Sequence, residues 1–455
     1  MSVAALCPSA VDIGHRSHCW WSMFRLAPVS DGGVFDADCG FDQASMAPVC
    51  ALEWWAGSGA MALGGRVEDR PGVPPARFVR RFLDMIALLP MPIDAAALLG
   101  ARAAEMGTTP AGQTSANASA RLLQAGDGWF VVNLARESDR ELIPAVIEAD
   151  ADGAALADPF ETIGTWASAR PANQVCDRLQ LLGVPAAVLG SDQGPAVTAS
   201  KLGPPREAPS CTARPTKAAL LRVLDLSALW AGPLAAHLLA RIGARVTTVE
   251  DVNRPDGARW GPPLFYRDLH QHCHHIELNL QSAGGRADLA CLAADCDVII
   301  EASRPHALAR LGLMVHDWLE ARPGRSWLSI TGYGRQAHEG RWVAFGDDAA
   351  VAGGVVCHDG DGNPMFCGDA IADPLTGVRG AFEVLASQRS GGGHLIDVSM
   401  AGVCAELAAG SDHPGFGHEL SFHAGRWWMR HEGRERVAVA PARTAPICIR
   451  DCAAQ

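Results

Sequence analysis

The sequence predicts an α/β protein that combines a Rossmann-like parallel-sheet domain with a small α+β domain. From residue 221 to residue 334, short apolar runs alternate with segments of helical spacing, a pattern typical of a doubly wound parallel sheet. Earlier in the chain, between residues 120 and 190, two apolar runs flank Gly126-Asp127-Gly128, and helical segments follow them. That turn is typical of a β-hairpin, so the chain holds two folding patterns in succession.

The stretch LRVLDLSALWAGPLAAHLLARIGARVTTVE, residues 221–250, defines the larger pattern. An apolar run through Val223 ends in a turn, helical spacing leads to Gly243, and a second apolar run ends on Glu250. Two buried strands joined by a short helix form a parallel, right-handed βαβ unit. Because the unit has no GxGxxG, it does not favour a nicotinamide cofactor.

Changes in composition and spacing divide the 455 residues into six segments. These are 1–47 without an assignment, 48–115 mainly helical, 116–190 the small α+β domain, 191–217 a linker, 218–400 the Rossmann-like domain, and 401–455 a C-terminal extension. The linker is expected because prolines and small polar residues crowd that segment.

The composition indicates a globular protein and excludes several classes of function. Apolar residues make up 48% of the chain, and the formal charge is -12 without any Lys/Arg block, so nucleic acid is not an expected partner. The 14 cysteines follow no regular spacing, which argues against a disulfide framework or a zinc ribbon. With no secretory signal pattern and no apolar run of about 18 residues, we expect a soluble, cytoplasmic protein without a membrane partner.

Short motifs between residues 220 and 400 resemble, in order, those of the family III CoA-transferases (CaiB/BaiF type). That group contains formyl-CoA and carnitine CoA-transferases and the α-methylacyl-CoA racemases. The motifs are the VLDLS strand with Ala231-Gly232-Pro233, Val249-Glu250, Ile276-Glu277-Leu278, Arg304-Pro305, Arg310-Leu311-Gly312, residues 329–334, Asp347-Asp348, Ala372-Asp373-Pro374 and Asp397-Val398-Ser399. The resemblance implies CoA as a substrate, a carboxylic acid as the second substrate, no permanently bound cofactor, and a homodimer.

The N-terminal third is also similar to this family, but its order differs. Residues 121–129, Asp158-Pro159 and residues 183–185 resemble the small domain that normally follows the Rossmann part, and here they precede it. Residues 55–63, WAGSGAMAL, are similar to the segment after the family's catalytic aspartate. The resemblance therefore implies either a permuted chain or the remnant of a fusion of two copies.

The chemistry of CoA transfer needs a carboxylate that attacks a thioester and carries first the acyl group and then CoA. In the family this aspartate stands in a Gly-x-Asp triplet before a helix of small residues. Gly346-Asp347-Asp348, followed by small residues, matches the triplet with Asp348 as nucleophile, and a register shifted by one residue selects Asp347. The alternative is structural, since both acids suit the first turn of a helix.

Two other functions remain open at this point. A racemase would need Asp347 and Asp373 to remove and return an α-proton, but Asp373 is equally suited to cap the helix that follows it. A non-catalytic relative that binds acyl-CoA is the second alternative. It is favoured by the rearranged order and by Thr248, Cys273 and His274, which stand where the family has basic residues.

The resemblance places CoA against Trp230, Ala231 and Gly232 at the first turn, where a helix N-terminus faces phosphate. Arg304 and Arg310 would add positive charge, although Arg310 also suits a solvated helix surface. The run HQHCHH, residues 270–275, offers two histidines on one strand face, but no further ligands complete a site. We therefore predict no metal site.

Overall fold

A computed structural model gives the fold of most of the chain. It describes residues 51–66, 70–109, 111–148, 158–192, 194–206, 221–304, 306–335, 342–410, 418–423, 426–431 and 434–438. The segment 1–47, which has no assignment from its sequence, lies outside the described residues.

The first described segment is mainly helical. Its elements are α1 (Ala51–Ser58), the short antiparallel strands β1 (Gly65–Arg66) and β2 (Arg70–Pro71), α2 (Phe78–Ala87) and α3 (Ala95–Met106). Helix α3 starts where the Asp94 side chain accepts hydrogen bonds from two backbone N–H groups, and it ends at Gly107 in the left-handed region. The aromatic side chains of α1 and α2 pack into the main hydrophobic core, so this segment adheres to the larger sheet domain.

The small α+β part has its own three-stranded antiparallel sheet and its own core. Its elements are β3 (Ala120–Gln124), β4 (Trp129–Asn133), α4 (Glu137–Glu141), α5 (Ile143–Ile147), α6 (Pro159–Ala167), α7 (Ala172–Leu181) and β5 (Ala186–Val188). Strands β3 and β4 pair on either side of the Gly-Asp-Gly turn, which confirms the predicted hairpin. Phe130, Ile163 and Leu179 are fully buried in this core.

The segment 191–217, expected to be a linker, contains strand β6 (Val197–Lys201). This strand pairs antiparallel with a strand almost two hundred residues later and forms one edge of the large sheet. All five residues of β6 are exposed or half-buried, as expected for an edge strand, and their small polar character concealed the strand in the sequence.

The large sheet has seven strands. After β6 they are β7 (Arg222–Asp225), β8 (Arg245–Asp251), β9 (His274–Leu278), β10 (Val298–Glu301), β11 (Ser326–Thr331) and β14 (His394–Ser399), with the hairpin β12 (Val356–His358) and β13 (Pro364–Phe366) lying apart. The order across the sheet is β6-β14-β11-β10-β7-β8-β9. Counted along the chain, its six parallel strands run 3-2-1-4-5-6, the order of a doubly wound sheet.

Helices cover both faces of this sheet. They are α8 (Ala231–Arg241), α9 (Pro263–His270), α10 (Ala283–Asp295), α11 (Ala307–Arg310), α12 (Val315–Glu320), α13 (Gly346–Ala352), α14 (Ala372–Arg389) and α15 (Met400–Ala408). Successive residues of the strands point to opposite faces, so Val223 joins the core under α8 and α14, whereas Leu224 joins the core under α10 and α12. The predicted α/β fold with a large, mostly parallel sheet is confirmed.

Beyond α15, a three-stranded antiparallel sheet is formed by β15 (His418–His423), β16 (Arg426–His431) and β17 (Arg434–Ala438). Within the described part of the chain, no helix has both the length and the apolar character needed to cross a bilayer.

The strand order reverses between β7 and β10, and this reversal locates the ligand crevice expected for such sheets. In open α/β sheets, ligands bind beyond the carboxyl ends of the strands at that switch point. Trp230 follows β7 and Arg304 follows β10, so the two strands that flank the reversal lead into two of the predicted CoA-binding segments.

Candidate active site

Asp348 is held at the start of α13 by three hydrogen bonds. Its carboxylate accepts the Phe345 backbone N–H at 3.0 and 3.2 Å and the side-chain amide of Asn133 at 3.0 Å. The side chain is fully buried, and Asn133 reaches it from β4 in the small α+β part. Burial raises the pKa of Asp348 to about 7, even though these donors favour the ionised form.

Asp347 faces a different set of groups. Its Oδ1 accepts the backbone N–H of Ala370 at 2.9 Å, and Ala370 adopts a positive φ of 43°, which is strained for a residue with a Cβ. Burial, followed by the nearby charge of Asp369, raises the pKa of Asp347 to about 8. The two neighbouring aspartates thus have separate surroundings.

An arginine from the N-terminal segment reaches this site. Arg102, on α3, donates from Nη1 to Asp369 Oδ1 at 2.5 Å, and its guanidinium lies 5.5 Å from the Trp230 ring centroid. The Asp369 side chain is almost fully buried, and burial raises its pKa despite the arginine. Helix α3 is held in place by Glu105, whose carboxylate accepts the N–H groups of Leu264 and Phe265 at the start of α9.

Asp373 joins the starts of two other helices. Its carboxylate accepts the backbone N–H of Ala231, the first residue of α8, and of Gly346, the first residue of α13. A Cβ at Gly346 would lie 2.1 Å from Asp373 Oδ2, so glycine is required there. Burial raises the pKa of Asp373 to about 7. These bonds replace the cap on its own helix that the sequence suggested.

We call Asp347, Asp348, Asp369 and Asp373 the aspartate cluster. Four carboxyl groups gather here from α13, α14 and the segment before α14, and Arg102 is the cation that faces three of them. The structure brings together the sequence-predicted Asp347 and Asp348 with Asp373, and it adds Asp369.

The predicted CoA-binding turn borders the cluster. Trp230, Ala231 and Gly232 are buried, and Trp230 packs edge-on against Phe265 with the ring centroids 4.9 Å apart. A Cβ at Gly232 would lie 2.1 Å from Ser227 Oγ, which explains the glycine. The turn therefore contacts the cluster at two points, where Trp230 packs against Arg102 and where the Ala231 N–H donates to Asp373. We had expected that N–H to face a phosphate of CoA.

The two predicted arginines lie on the surface. Arg304 approaches the small α+β part, where a Cβ on Gly183 would be 3.4 Å from its Nη2. Arg136 donates to the Gly183 carbonyl at 2.8 Å, and its guanidinium lies 5.7 Å from the Phe345 ring centroid. Phe345 in turn donates its N–H to Asp348, so Gly183, Arg136 and Phe345 lie between Arg304 and Asp348. Arg310 ends α11 and is exposed, and no contact within the described residues joins it to the aspartates.

A second buried carboxylate group lies at the carboxyl ends of β10, β11 and β14. Glu301 accepts hydrogen bonds from Arg335 at 2.7 Å, Trp327 at 2.9 Å and Ser303 at 3.0 Å. Asp397 accepts the Arg335 backbone N–H at 2.6 Å. Arg335 therefore ties the ends of these strands together, and we call this group the Glu301–Arg335 group.

The histidine-rich run forms ring contacts at the edge of the sheet. His270 is buried between Tyr266 and His275, with ring centroids 4.4 and 4.9 Å away, and burial lowers its pKa to about 4. No three His, Cys, Asp or Glu side chains of the described residues are arranged to hold a metal ion.

Sequence reasoning missed Arg102, Asn133 and Asp369. Asp369 stands in a Cys-Gly-Asp stretch close before the family motif at 372–374, so its position near another acid was a usable signal. Arg102 and Asn133 belong to no motif, and their roles follow only from the packing of the N-terminal third against α13 and α14.

Comparison with known proteins places the match in the second half of the chain. The sequence model of CoA-transferase family III matches residues 219–438. Similar proteins include the mouse "Succinyl-CoA:glutarate CoA-transferase", 31% identical over 193 residues covering 40% of this chain and 44% of that one. The "Succinate--glutarate CoA-transferase" of Agrobacterium fabrum is 32% identical over 211 residues, with 42% and 52% covered. The "Formyl-CoA:oxalate CoA-transferase" of Streptomyces coelicolor is 32% identical over 199 residues, with 40% and 47% covered.

Among solved structures, a CAIB/BAIF family protein from Brucella suis aligns with a TM-score of 0.39 and 25% identity over 42% of this chain and 54% of that one. The chain spans about half the length of the relatives it matches. The match contains β7 with the turn at Trp230, the aspartate cluster and the Glu301–Arg335 group. Residues 219–438 are therefore similar in sequence to CoA-transferase family III.

Proposed function

We propose that the chain transfers CoA between an acyl-CoA thioester and a carboxylic acid, with Asp348 as the nucleophile. The observation that carries the proposal is a buried carboxylate whose pKa is raised to about 7 and which hydrogen-bond donors hold at the start of a helix. A carboxylate with a pKa near neutrality is partly ionised at pH 7, and burial removes the water that would weaken its attack. The family match and the names of the relatives support the same reaction.

The reaction would proceed in balanced exchanges. The Asp348 carboxylate attacks the thioester carbonyl, CoA leaves as a thiolate, and an acyl-aspartyl anhydride forms. The thiolate then attacks the aspartyl carbonyl, which releases the donor acid and leaves CoA bound to Asp348 as a thioester. The acceptor carboxylate attacks that thioester, which expels CoA as a thiolate and forms a second anhydride between the acceptor and Asp348. The thiolate then attacks the acceptor carbonyl of this anhydride, which gives the new acyl-CoA and releases the Asp348 carboxylate. The Asn133 amide is placed to stabilise charge on the aspartyl oxygen during these steps.

CoA would lie across the sheet's switch point. The buried turn at Trp230, Ala231 and Gly232 would face the reactive end, and exposed Arg304 would face the charged end. Arg310, exposed at the end of α11, would add positive charge for the phosphates. Homodimer formation and a cytoplasmic location stay predictions from the resemblance and the composition.

Trapping tests the proposal directly. The protein is incubated with succinyl-CoA or formyl-CoA, the donors named for the relatives, and then with hydroxylamine, and its peptides are weighed by mass spectrometry. We expect a hydroxamate on residue 348, and none on that residue in Asp348→Asn. Transfer should fall by at least about 10³-fold in that variant. A hydroxamate on residue 347 would move the nucleophile by one position, and no hydroxamate with any thioester tested would refute the transferase.

The racemase is tested with an α-methylacyl-CoA, since formyl-CoA has no α-carbon. A racemase would exchange the α-proton of the acyl group with solvent, so deuterium from D₂O would enter the α-carbon. We expect no incorporation with the wild-type protein. Incorporation that disappears in Asp347→Asn would favour the racemase over the transferase.

A further inference from the structure

Asp369 is the acid of the aspartate cluster that makes a direct ion pair. Its Oδ1 accepts Arg102 Nη1 at 2.5 Å, and the two side chains are only 1% and 18% exposed. Its Oδ2 is buried, and no described protein group donates to it. Arg102 therefore supplies the charge compensation that Asp369 receives, and this favours an ionised Asp369.

The backbone fixes Asp369 beside Asp347. The residue after Asp369, Ala370, holds a positive φ and donates its N–H to Asp347 Oδ1. An ionised Asp369 repels a negative charge on Asp347, and Arg102 attracts it. The repulsion is the larger of the two effects, so Asp347 retains its proton to higher pH. Asp348 instead accepts hydrogen bonds from the Phe345 N–H and from the neutral amide of Asn133, which favour its ionised form.

We propose that Asp369 is a positioning residue that keeps the proton on Asp347, so that the neighbouring Asp348 is the carboxylate of the pair that ionises and reacts. Arg102 serves this arrangement by fixing Asp369 in its charged form. This functional role rests on the proposed transfer reaction. The order in which Asp347 and Asp348 ionise, however, is a property of the protein without substrate. It explains why two adjacent aspartates can behave as one nucleophile and one neutral neighbour.

The groups that face this site come from several elements. Beside the aspartate cluster and Arg102 on α3, the thiol of Cys404 on α15 lies near Asp373 and Cys367, and burial raises its pKa, so it stays neutral. The pKa of Asp347 at about 8 and that of Asp348 at about 7 agree with the proposed order of ionisation.

Carbon-13 NMR of aspartate-labelled full-length protein measures this order without any substrate. The Asp347 and Asp348 carboxyl signals are assigned by their loss in Asp347→Asn and Asp348→Asn, and each is followed as the pH is raised. In the wild-type protein we expect Asp348 to ionise at lower pH than Asp347. In Asp369→Asn, which removes the repelling charge but leaves Arg102, the Asp347 midpoint should fall by about one pH unit or more.

Two control variants separate charge from structure. Arg102→Lys keeps the cation and should leave the Asp347 midpoint within a few tenths of a unit of wild type. Asp84→Asn removes an exposed acid of α2 that is paired with Arg80 and should change neither midpoint.

The outcomes are decisive even if Asp369→Asn does not fold. An Asp347 that ionises before Asp348 in wild-type protein overturns the inference, as does an Asp347 midpoint that stays the same or rises in folded Asp369→Asn. Where transfer occurs, we also expect hydroxylamine to label residue 347 as well as residue 348 in Asp369→Asn. If wild-type protein forms no hydroxamate while the midpoints follow the expected order, the proposed transferase is refuted and the proton distribution stands.

Discussion

The Glu301–Arg335 group and the aspartate cluster are both buried, but their charges are balanced in different ways. Glu301 meets an arginine, an indole N–H and a hydroxyl, so its negative charge is matched within hydrogen-bond distance. In the aspartate cluster, Arg102 faces three of the four carboxyl groups, and burial raises the pKa of each of the four. The first arrangement stabilises a fixed charge at the strand ends. In the second, the pKa values of Asp347, Asp348 and Asp373 lie near neutrality, where a carboxyl group can gain or lose its proton.

The largest expected effect is a loss of stability when the Glu301–Arg335 group is disrupted. Arg335→Met would leave the Glu301 carboxylate buried with only neutral donors, and we expect the free energy of unfolding at pH 7 to fall by about 3 kcal/mol or more. Urea unfolding followed by circular dichroism measures the change. Arg80→Met, which removes an exposed pair, should change stability by less than about 0.5 kcal/mol. Equal losses of stability in Arg335→Met and Arg80→Met would show that the buried ion pair of the Glu301–Arg335 group contributes no more than an exposed pair.

The aspartate cluster should make the protein less stable as the pH rises. The pKa of Asp347 is about 8 in the folded chain, against an ordinary value of 3.8, so the folded state binds this proton more tightly than the unfolded state does. Its contribution is therefore greatest below pH 4 and is lost as the pH rises toward 8. The slope is up to about 1.4 kcal/mol per pH unit for one such carboxyl.

Asp347→Asn isolates that slope, because asparagine stays neutral throughout. Between pH 5 and 7.5 the variant should lose less unfolding free energy than wild type, as measured by urea titrations at each pH. Asp84→Asn serves as the exposed control and should keep the wild-type slope. Parallel curves for wild type and Asp347→Asn would show that Asp347 is ionised when buried.

Close packing inside the cluster gives the next effect. In Gly346→Ala the added Cβ would lie 2.1 Å from Asp373 Oδ2 and 2.4 Å from the Ala370 carbonyl oxygen, so one of them must move. We expect a loss of about 1–3 kcal/mol in unfolding free energy together with weaker transfer. Gly284→Ala, on α10 with open space around its Cβ, should be neutral or slightly stabilising. A neutral Gly346→Ala would mean that the cluster is loosely packed.

The smallest effect concerns the donor from the small α+β part. Asn133→Ala removes a hydrogen bond that favours ionised Asp348, so the pKa of Asp348 should rise and the acidic limb of the transfer pH profile should move upward. We expect transfer at pH 7 to fall about tenfold, as for the loss of one hydrogen bond to a charged group. Asn173→Ala, an exposed residue of α7, is the control. An unchanged profile in Asn133→Ala would show that Asn133 only fills space.

The sequence predicted the parts of the molecule that depend on neighbours along the chain. The βαβ unit at 221–250 and the hairpin around residue 127 were predictable because apolar periodicity and turn residues act over short distances. Strand β6 was not, because its polar residues cover an edge and its pairing partner lies in β14. The same limit applies to Asp373, whose partners begin two helices that are distant in sequence from its own turn.

The candidate site shows the same limit more sharply. Asp347 and Asp348 could be selected because they fit a contiguous motif, and Trp230 because it follows the first strand of the sheet. Arg102 and Asn133 could not, since nothing adjacent to them in sequence needs an arginine or an amide. Their selection depends on charges and donors brought together from opposite ends of the chain, which a single sequence does not reveal.

The contacts of Glu105 on α3 also bear on the ancestry of the chain. One turn of this helix holds the start of α9 through Glu105 and the aspartate cluster through Arg102. A region cut at residue 219 would keep the residues that match the model of CoA-transferase family III but would lose both attachments. Whether the predicted fusion or the predicted permutation applies, the N-terminal third makes contacts that position residues of the candidate site.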